Sequence, residues 1–181
     1  TRENIENFRG FGGAQSYPSR TKDIDDVDIS TGSVGLGVAM TSFVSLIQDY
    51  VLRKQFGKKI PHGRMIALVG DAELDEGNVY ECLQEGWKHD LRNVWWIIDY
   101  NRQSLDGVVH EGLSERLGSV FEAFGWNLII LKYGKLQKEA FDEPGGHLLK
   151  KWIDDCPNQL YSALIYEGGS TFKKRILDDI G

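Results

Sequence analysis

Arg64 to Glu73 reads R-M-I-A-L-V-G-D-A-E, and Asn93 to Asn101 reads N-V-W-W-I-I-D-Y-N. Each is a short, almost continuous apolar run that gives way at once to oxygen-bearing side chains. A run of this length, bounded by polar residues, predicts a strand buried on both faces, as in a parallel sheet. Between the two lies Glu76 to His89, with Val79, Leu83 and Trp87 at helical spacing. The stretch therefore predicts strand, helix, strand. Upstream, a long amphipathic helix is expected over about Val38 to Phe56, with Val44, Ile47 and Val51 on one face. Downstream, a helix over about Leu113 to Phe124 precedes an expected third strand, Trp126 to Lys132. Alternating strands and helices predict the α/β class, with a doubly wound, mostly parallel sheet and helices on both faces.

The flanks are different in character. Thr1 to Asp28 is polar and glycine-rich and reads as a loop that lines a site. Ile29 to Gly37 (I-S-T-G-S-V-G-L-G) is a glycine loop opening the first long helix, so residues 1–37 form one N-terminal loop region. Residues 136–181 read as a helical tail broken at Pro144-Gly145-Gly146, Pro157 and Gly168-Gly169. The 181 residues suffice for one domain with a real core, and residues 1–181 are expected to form it. The first residue is Thr1 and no closing strand follows the tail, which leads to the expectation of a piece of a longer chain.

A net charge of −6, with no dense Lys/Arg cluster, argues against nucleic acid and anionic membranes, which need a contiguous positive field. No apolar stretch approaches membrane-spanning length and no signal-peptide pattern opens the chain. Cys82 and Cys156 form no framework, so a reducing, cytoplasmic setting is expected.

In open α/β sheets, ligands bind beyond the carboxyl ends of the strands. If the two strands are adjacent and parallel, Asp71 and Asn101 leave the sheet at the same rim. A carboxylate and an amide carbonyl begin a magnesium or calcium site, since both cations take oxygen ligands and magnesium often shares its shell with phosphates. Gly70 lets the chain turn off the strand, and the following helix aims its N-terminal dipole at the same place. A metal on one side and backbone N–H groups on the other would let an acidic protein hold a diphosphate. The plainer reading of Gly70-Asp71-Ala72 is an aspartate capping the next helix.

Gly70-Asp71-Ala72, followed about thirty positions later by Asn101, resembles the G-D-G…N motif of thiamine-diphosphate enzymes of the transketolase and homodimeric pyruvate dehydrogenase family. Asn101 to Gly107 (N-R-Q-S-L-D-G) is similar to the decarboxylating component of pyruvate dehydrogenase, and also to transketolase. The resemblance extends to S-Y-P at Ser16, T-G-S-V-G-L-G at Thr31, G-D-A-E-L-D-E-G at Gly70 and F-G-W-N at Phe124. It covers most of the chain up to about Lys132.

This resemblance implies two cofactors, thiamine diphosphate and Mg2+. By it, Asp71, Asn101 and the Gln103 carbonyl ligate the metal, the backbone at Gly70, Ala72 and Glu73 lies against the diphosphate, and Val34, Gly35 and Leu105 touch the cofactor. It also implies that Glu76 lies at a homodimer interface and relays protons between two cofactors. A pyrimidine-binding domain, in the same full-length chain or a partner subunit, would complete the site, so this chain alone is expected to be inactive. Ala72 replaces the second glycine of the motif. Ser19-Arg20 stands where the pyruvate dehydrogenase pattern has a histidine.

The expected function is the cofactor domain of a 2-oxo acid (pyruvate) dehydrogenase decarboxylating component acting on a small keto substrate. The alternatives are a transketolase moving two-carbon units, or a non-catalytic binding module. His110, in the loop after Asp106-Gly107, is a candidate for acid–base work, because imidazole titrates near neutrality. His62, His89 and His147 read as solvated or capping residues, and Trp95 and Trp96 as packing against flanking helices.

Overall fold

The computed structural model describes residues 1–24, 26–56, 61–102 and 112–181. Two compact units are present, Thr1–Asp99 and Tyr100–Gly181.

The first unit is built on β1 (Met65–Gly70) and β2 (Val94–Asp99). They pair in parallel, in a register running from Met65↔Val94 to Gly70↔Asp99. A 3-10 turn (Asp71–Asp75) and helix α3 (Gly77–Lys88) form the crossover between them. Ahead of β1 run the short helix α1 (Arg2–Glu6), where a loop is expected, and the long helix α2 (Leu36–Arg53). Helix α1 starts at Thr1, whose hydroxyl accepts from the Asn4 N–H, a side-chain cap of the usual kind.

The buried side of α2 is not the expected one. Val38, Ala39, Thr41, Ser42 and Ser45 are buried, whereas Ile47 is more than half exposed. Small side chains let the helix axis come close to β1, and the Thr41 and Ser45 hydroxyls find partners. Thr41 donates to the Val38 carbonyl (2.6 Å) and accepts from the Trp96 indole N–H (3.1 Å), while Ser45 donates to Asn93. A satisfied hydroxyl costs little to bury.

Among the described residues, only one face of the sheet is covered. Ala67, Val69 and Val94 are buried, but Ile66, Leu68, Trp95 and Ile97 on the other face are each at least half exposed. Trp96 reaches α2, while Trp95 carries the Arg64 guanidinium 4.0 Å from its ring centroid. Thus, among the described residues, the fold is α/β with a two-stranded parallel sheet joined by a helix. The expected doubly wound sheet with helices on both faces is not formed by the described residues, which give one strand–helix–strand unit. No described residue forms a β-ladder with 126–132, and a strand exists only through its ladder. Ile129, Ile130 and Leu131 are all exposed there.

Helix α3 buries Val79, Cys82, Leu83 and Gly86, while Trp87, expected on that face, lies 63% exposed. Burial, then Glu81 and Glu85, pushes the Cys82 thiol up to about 11. At pH 8 the thiolate, the reactive form, is therefore scarce as well as enclosed. Alkylation with iodoacetamide at pH 8, read by peptide mass, is expected to leave Cys82 unmodified in the native protein and to label it in urea. Stoichiometric labelling of native Cys82 would contradict this burial.

The second unit is helical: α4 (Leu113–Ala123), α5 (Lys135–Asp142), α6 (Gly146–Asp155), α7 (Asn158–Glu167) and α8 (Gly169–Ile180). The tail breaks at Gly145 (φ +83°), Pro157 and Gly168 (φ +96°), where the sequence reading put them. Helix α4 ends on Gly125 (φ +73°), whose N–H bonds the Glu122 carbonyl (2.8 Å), and Trp126 N–H returns to Phe121 (3.0 Å). The Phe121 and Trp126 rings meet edge to face across this stop. F-G-W-N is thus a glycine helix stop with its apolar clasp. No described helix is long and apolar enough to cross a membrane.

Candidate functional site

The ends of β1 and β2 stand side by side, because Gly70 pairs with Asp99. Asp71 follows Gly70 directly and is 3% exposed, with Oδ1 accepting from the Ala72 N–H (3.0 Å). Ala72 lies in the 3-10 turn, where φ is negative, so its methyl group meets no backbone penalty. The departure from G-D-G is therefore conformationally neutral.

Glu73 acts here through its side chain. Its carboxylate accepts from the Gly70 N–H (3.3 Å) and from the Gly35 N–H (3.2 Å), tying the strand end to the glycine loop. An acidic side chain three residues after a helix-capping position commonly reaches back in this way. That spacing was visible in the sequence, but the long-range partner Gly35 was not.

Gly35 caps α2 with φ +77° and is buried. A Cβ there would lie 2.7 Å from Asn78 Oδ1 and 2.8 Å from Glu76 Cβ. Backbone hand and space both require glycine. Val34, beside it, is 37% exposed. Glu76 is the half-buried N-cap residue of α3, with its stem against Gly35. Gly35, Gly70, Asp71, Ala72, Glu73 and Glu76 therefore form one connected rim in the first unit.

Asn101 is exposed and belongs to the second unit, two residues beyond Asp99 in the chain. Asn101 and Arg102 line a cleft with Lys132, Tyr133, Gln137 and Tyr161. Beside it Asp154 accepts from the Tyr133 hydroxyl and pairs with Lys132 (2.9 Å). Burial raises its carboxyl, but the bonds from Tyr133 and Lys132 outweigh that and hold it below the usual carboxylate range. Gln103, Leu105, Asp106, Gly107 and His110 lie outside the described residues. His62 and His147 are exposed, and His89 caps α3 at its C-terminus with Nε2 3.3 Å from Glu85. Among the described residues no three His, Cys, Asp or Glu side chains converge as a metal cluster.

Residues 1–142 match the family model described as transketolase, thiamine diphosphate binding domain. The chain is 29% identical over 134 residues to a transketolase of Staphylococcus aureus (strain MW2), covering 73% of this chain and 20% of that protein. It is 30% identical over 135 residues to a transketolase of Staphylococcus epidermidis (strain ATCC 12228 / FDA PCI 1200), with 73% and 20% covered. A transketolase of Streptococcus pyogenes serotype M6 is 29% identical over 134 residues, with 73% and 18% covered. The match thus spans about a fifth of these relatives' length. Their names bear on the transketolase alternative rather than on the pyruvate dehydrogenase reading. The chain belongs to the transketolase family of thiamine diphosphate-binding domains.

Proposed function

We propose that this chain is the diphosphate- and Mg2+-binding part of a thiamine-diphosphate enzyme of transketolase type, which moves two-carbon ketol units between sugars. The observation that carries the reading is the parallel register ending at Gly70↔Asp99, with a buried carboxylate one residue past the first strand. Asp71, the Asn101 amide oxygen and the Gln103 carbonyl would hold the cation together with the diphosphate. A donor set of one carboxylate with neutral oxygens suits magnesium, which is usually bound by few protein groups together with phosphates.

Thiamine diphosphate, when bound, supplies a carbanion and an electron sink. The residues of this chain bind and orient. Gly70, Ala72 and Glu73 would hold the diphosphate, and Val34, Gly35 and Leu105 the cofactor body. Glu76 sits at an interface with a second copy and passes a proton across it, and His110 exchanges protons on the substrate side. A pyrimidine-binding domain, elsewhere in the full-length chain or on a partner subunit, completes the site. The setting is cytoplasmic, and the substrate is a small keto sugar.

The deciding assay gives the full-length protein thiamine diphosphate and Mg2+, with xylulose 5-phosphate plus an aldose acceptor in one vessel and pyruvate in another. Ketol transfer without pyruvate decarboxylation is the expected result. Pyruvate decarboxylation alone would restore the pyruvate dehydrogenase reading, to which Asn101–Gly107 is similar. Cofactor binding without either turnover would make the chain a binding module.

A further inference from the structure

Arg102 follows the candidate metal ligand Asn101 and has a left-handed backbone, φ +66°, uncommon for a residue with a side chain. Its guanidinium is held at three points of the tail. Nη2 donates to the Ile153 carbonyl (2.9 Å), Nη1 donates to the Cys156 carbonyl (3.3 Å), and the plane lies 4.2 Å from the Tyr161 ring centroid.

The reason for this grip is in the sequence of the tail. In a helix the Ile153 carbonyl would accept from the N–H four residues on, but that residue is Pro157, which has none. Ile153 and Cys156 are both buried, 5% and 4% exposed, so their carbonyls need a donor from elsewhere. A guanidinium is suited to the place, since a helix C-terminus carries partial negative charge and the fork can serve two oxygens at once. Tyr161, on α7, supplies a flat face for it.

We infer that Arg102 is a positioning residue for the cofactor site, through which α6 and α7 fix the peptide of Asn101. The angle φ of Arg102 sets the plane of the peptide that joins it to Asn101. A side chain pinned to two carbonyls and a ring holds its own Cα, and with φ of Arg102 it fixes the peptide plane from which Asn101 departs. This inference rests on the reading of Asn101 as a ligand of the cation.

Magnesium demands near-octahedral geometry, whereas calcium tolerates variable distances and angles. A misplaced ligand therefore harms Mg2+ more than Ca2+, while general destabilisation of the tail harms both alike. Thiamine diphosphate is titrated calorimetrically into the full-length protein with Mg2+ or with Ca2+, using the wild type, Arg102→Ala, Arg102→Lys and Tyr161→Ala. Arg102→Ala is expected to weaken Mg2+-supported binding by about 10- to 100-fold, the usual effect of losing an outer-shell partner, with a clearly smaller loss in Ca2+. Tyr161→Ala should shift in the same direction, and Arg102→Lys should fall between Arg102→Ala and the wild type. Should Arg102→Ala fail to fold, the Mg2+-to-Ca2+ ratio of Arg102→Lys decides. Equal losses with both metals, or no loss, overturn the positioning role while leaving the proposed function standing. A wild type that binds no thiamine diphosphate with either metal overturns both.

Discussion

Changing Asp71 to asparagine is expected to abolish Mg2+-dependent thiamine diphosphate binding while leaving the fold in place. Asparagine matches aspartate in shape and keeps an Oδ1 to accept the Ala72 N–H, now 3.0 Å away. What it loses is the full negative charge at the end of β1. A hard dication gains most from a carboxylate, and the proposed shell contains one from this chain. Outer-shell partners alone typically cost about 10- to 100-fold in metal affinity, so the ligating charge should cost at least about a hundredfold. The readouts are separable. Calorimetric titration of the full-length protein reports binding, and thermal unfolding without ligand reports the fold. Wild type with cofactor at a hundred times its Kd should gain about 2.7 kcal/mol of stability by mass action, and Asp71→Asn at the same concentration about 0.4 kcal/mol or less. Wild-type affinity in Asp71→Asn would remove Asp71 from the metal site.

Both strands were legible because an apolar run of that length, stopped by Gly70 in one case and Asp99 in the other, has few other uses. The helix between them was legible to within a residue at each end, from Val79 and Leu83. The breaks in the tail were legible for a local reason as well, since Pro157, Gly145 and Gly168 act on their own backbone. What failed was anything decided by a partner far along the chain. Periodicity marks Val44, Ile47 and Val51 as one stripe of α2. It cannot say that close approach to β1 favours the small residues Ala39, Ser42 and Ser45 instead. Trp126 to Lys132 has the composition of a strand, but composition does not provide the neighbour that makes one. The site divides the same way. Asp71 and Gly35 could be picked out from short motifs. The Glu73 bridge to Gly35 and the Arg102 grip on Ile153 span 38 and 51 positions, and such pairs are invisible to local pattern.

The contrast between Leu83 and Trp87 tests the core of the first unit directly. They lie four residues apart on α3 and were expected to share a face, yet Leu83 is 0% exposed and Trp87 is 63% exposed. Removing side-chain atoms from a filled interior loses their transfer free energy and leaves a cavity, so Leu83→Ala is expected to cost about 2–5 kcal/mol. Trp87→Ala deletes a larger side chain, but one in contact mostly with water, and should change stability by about 0.5 kcal/mol or less. Urea unfolding followed by circular dichroism measures both, and a shifted midpoint at unchanged slope would mark a true stability change. The consequence reaches the rim, because α3 begins at Glu76, whose stem packs against Gly35. A Leu83→Ala protein near its unfolding midpoint should lose cofactor affinity along with its fold, unlike Asp71→Asn, which loses affinity alone. If Trp87→Ala proved the more damaging of the two, the buried face of α3 would be the one carrying Trp87, and the packing that presents Glu76 to Gly35 would have to turn with it.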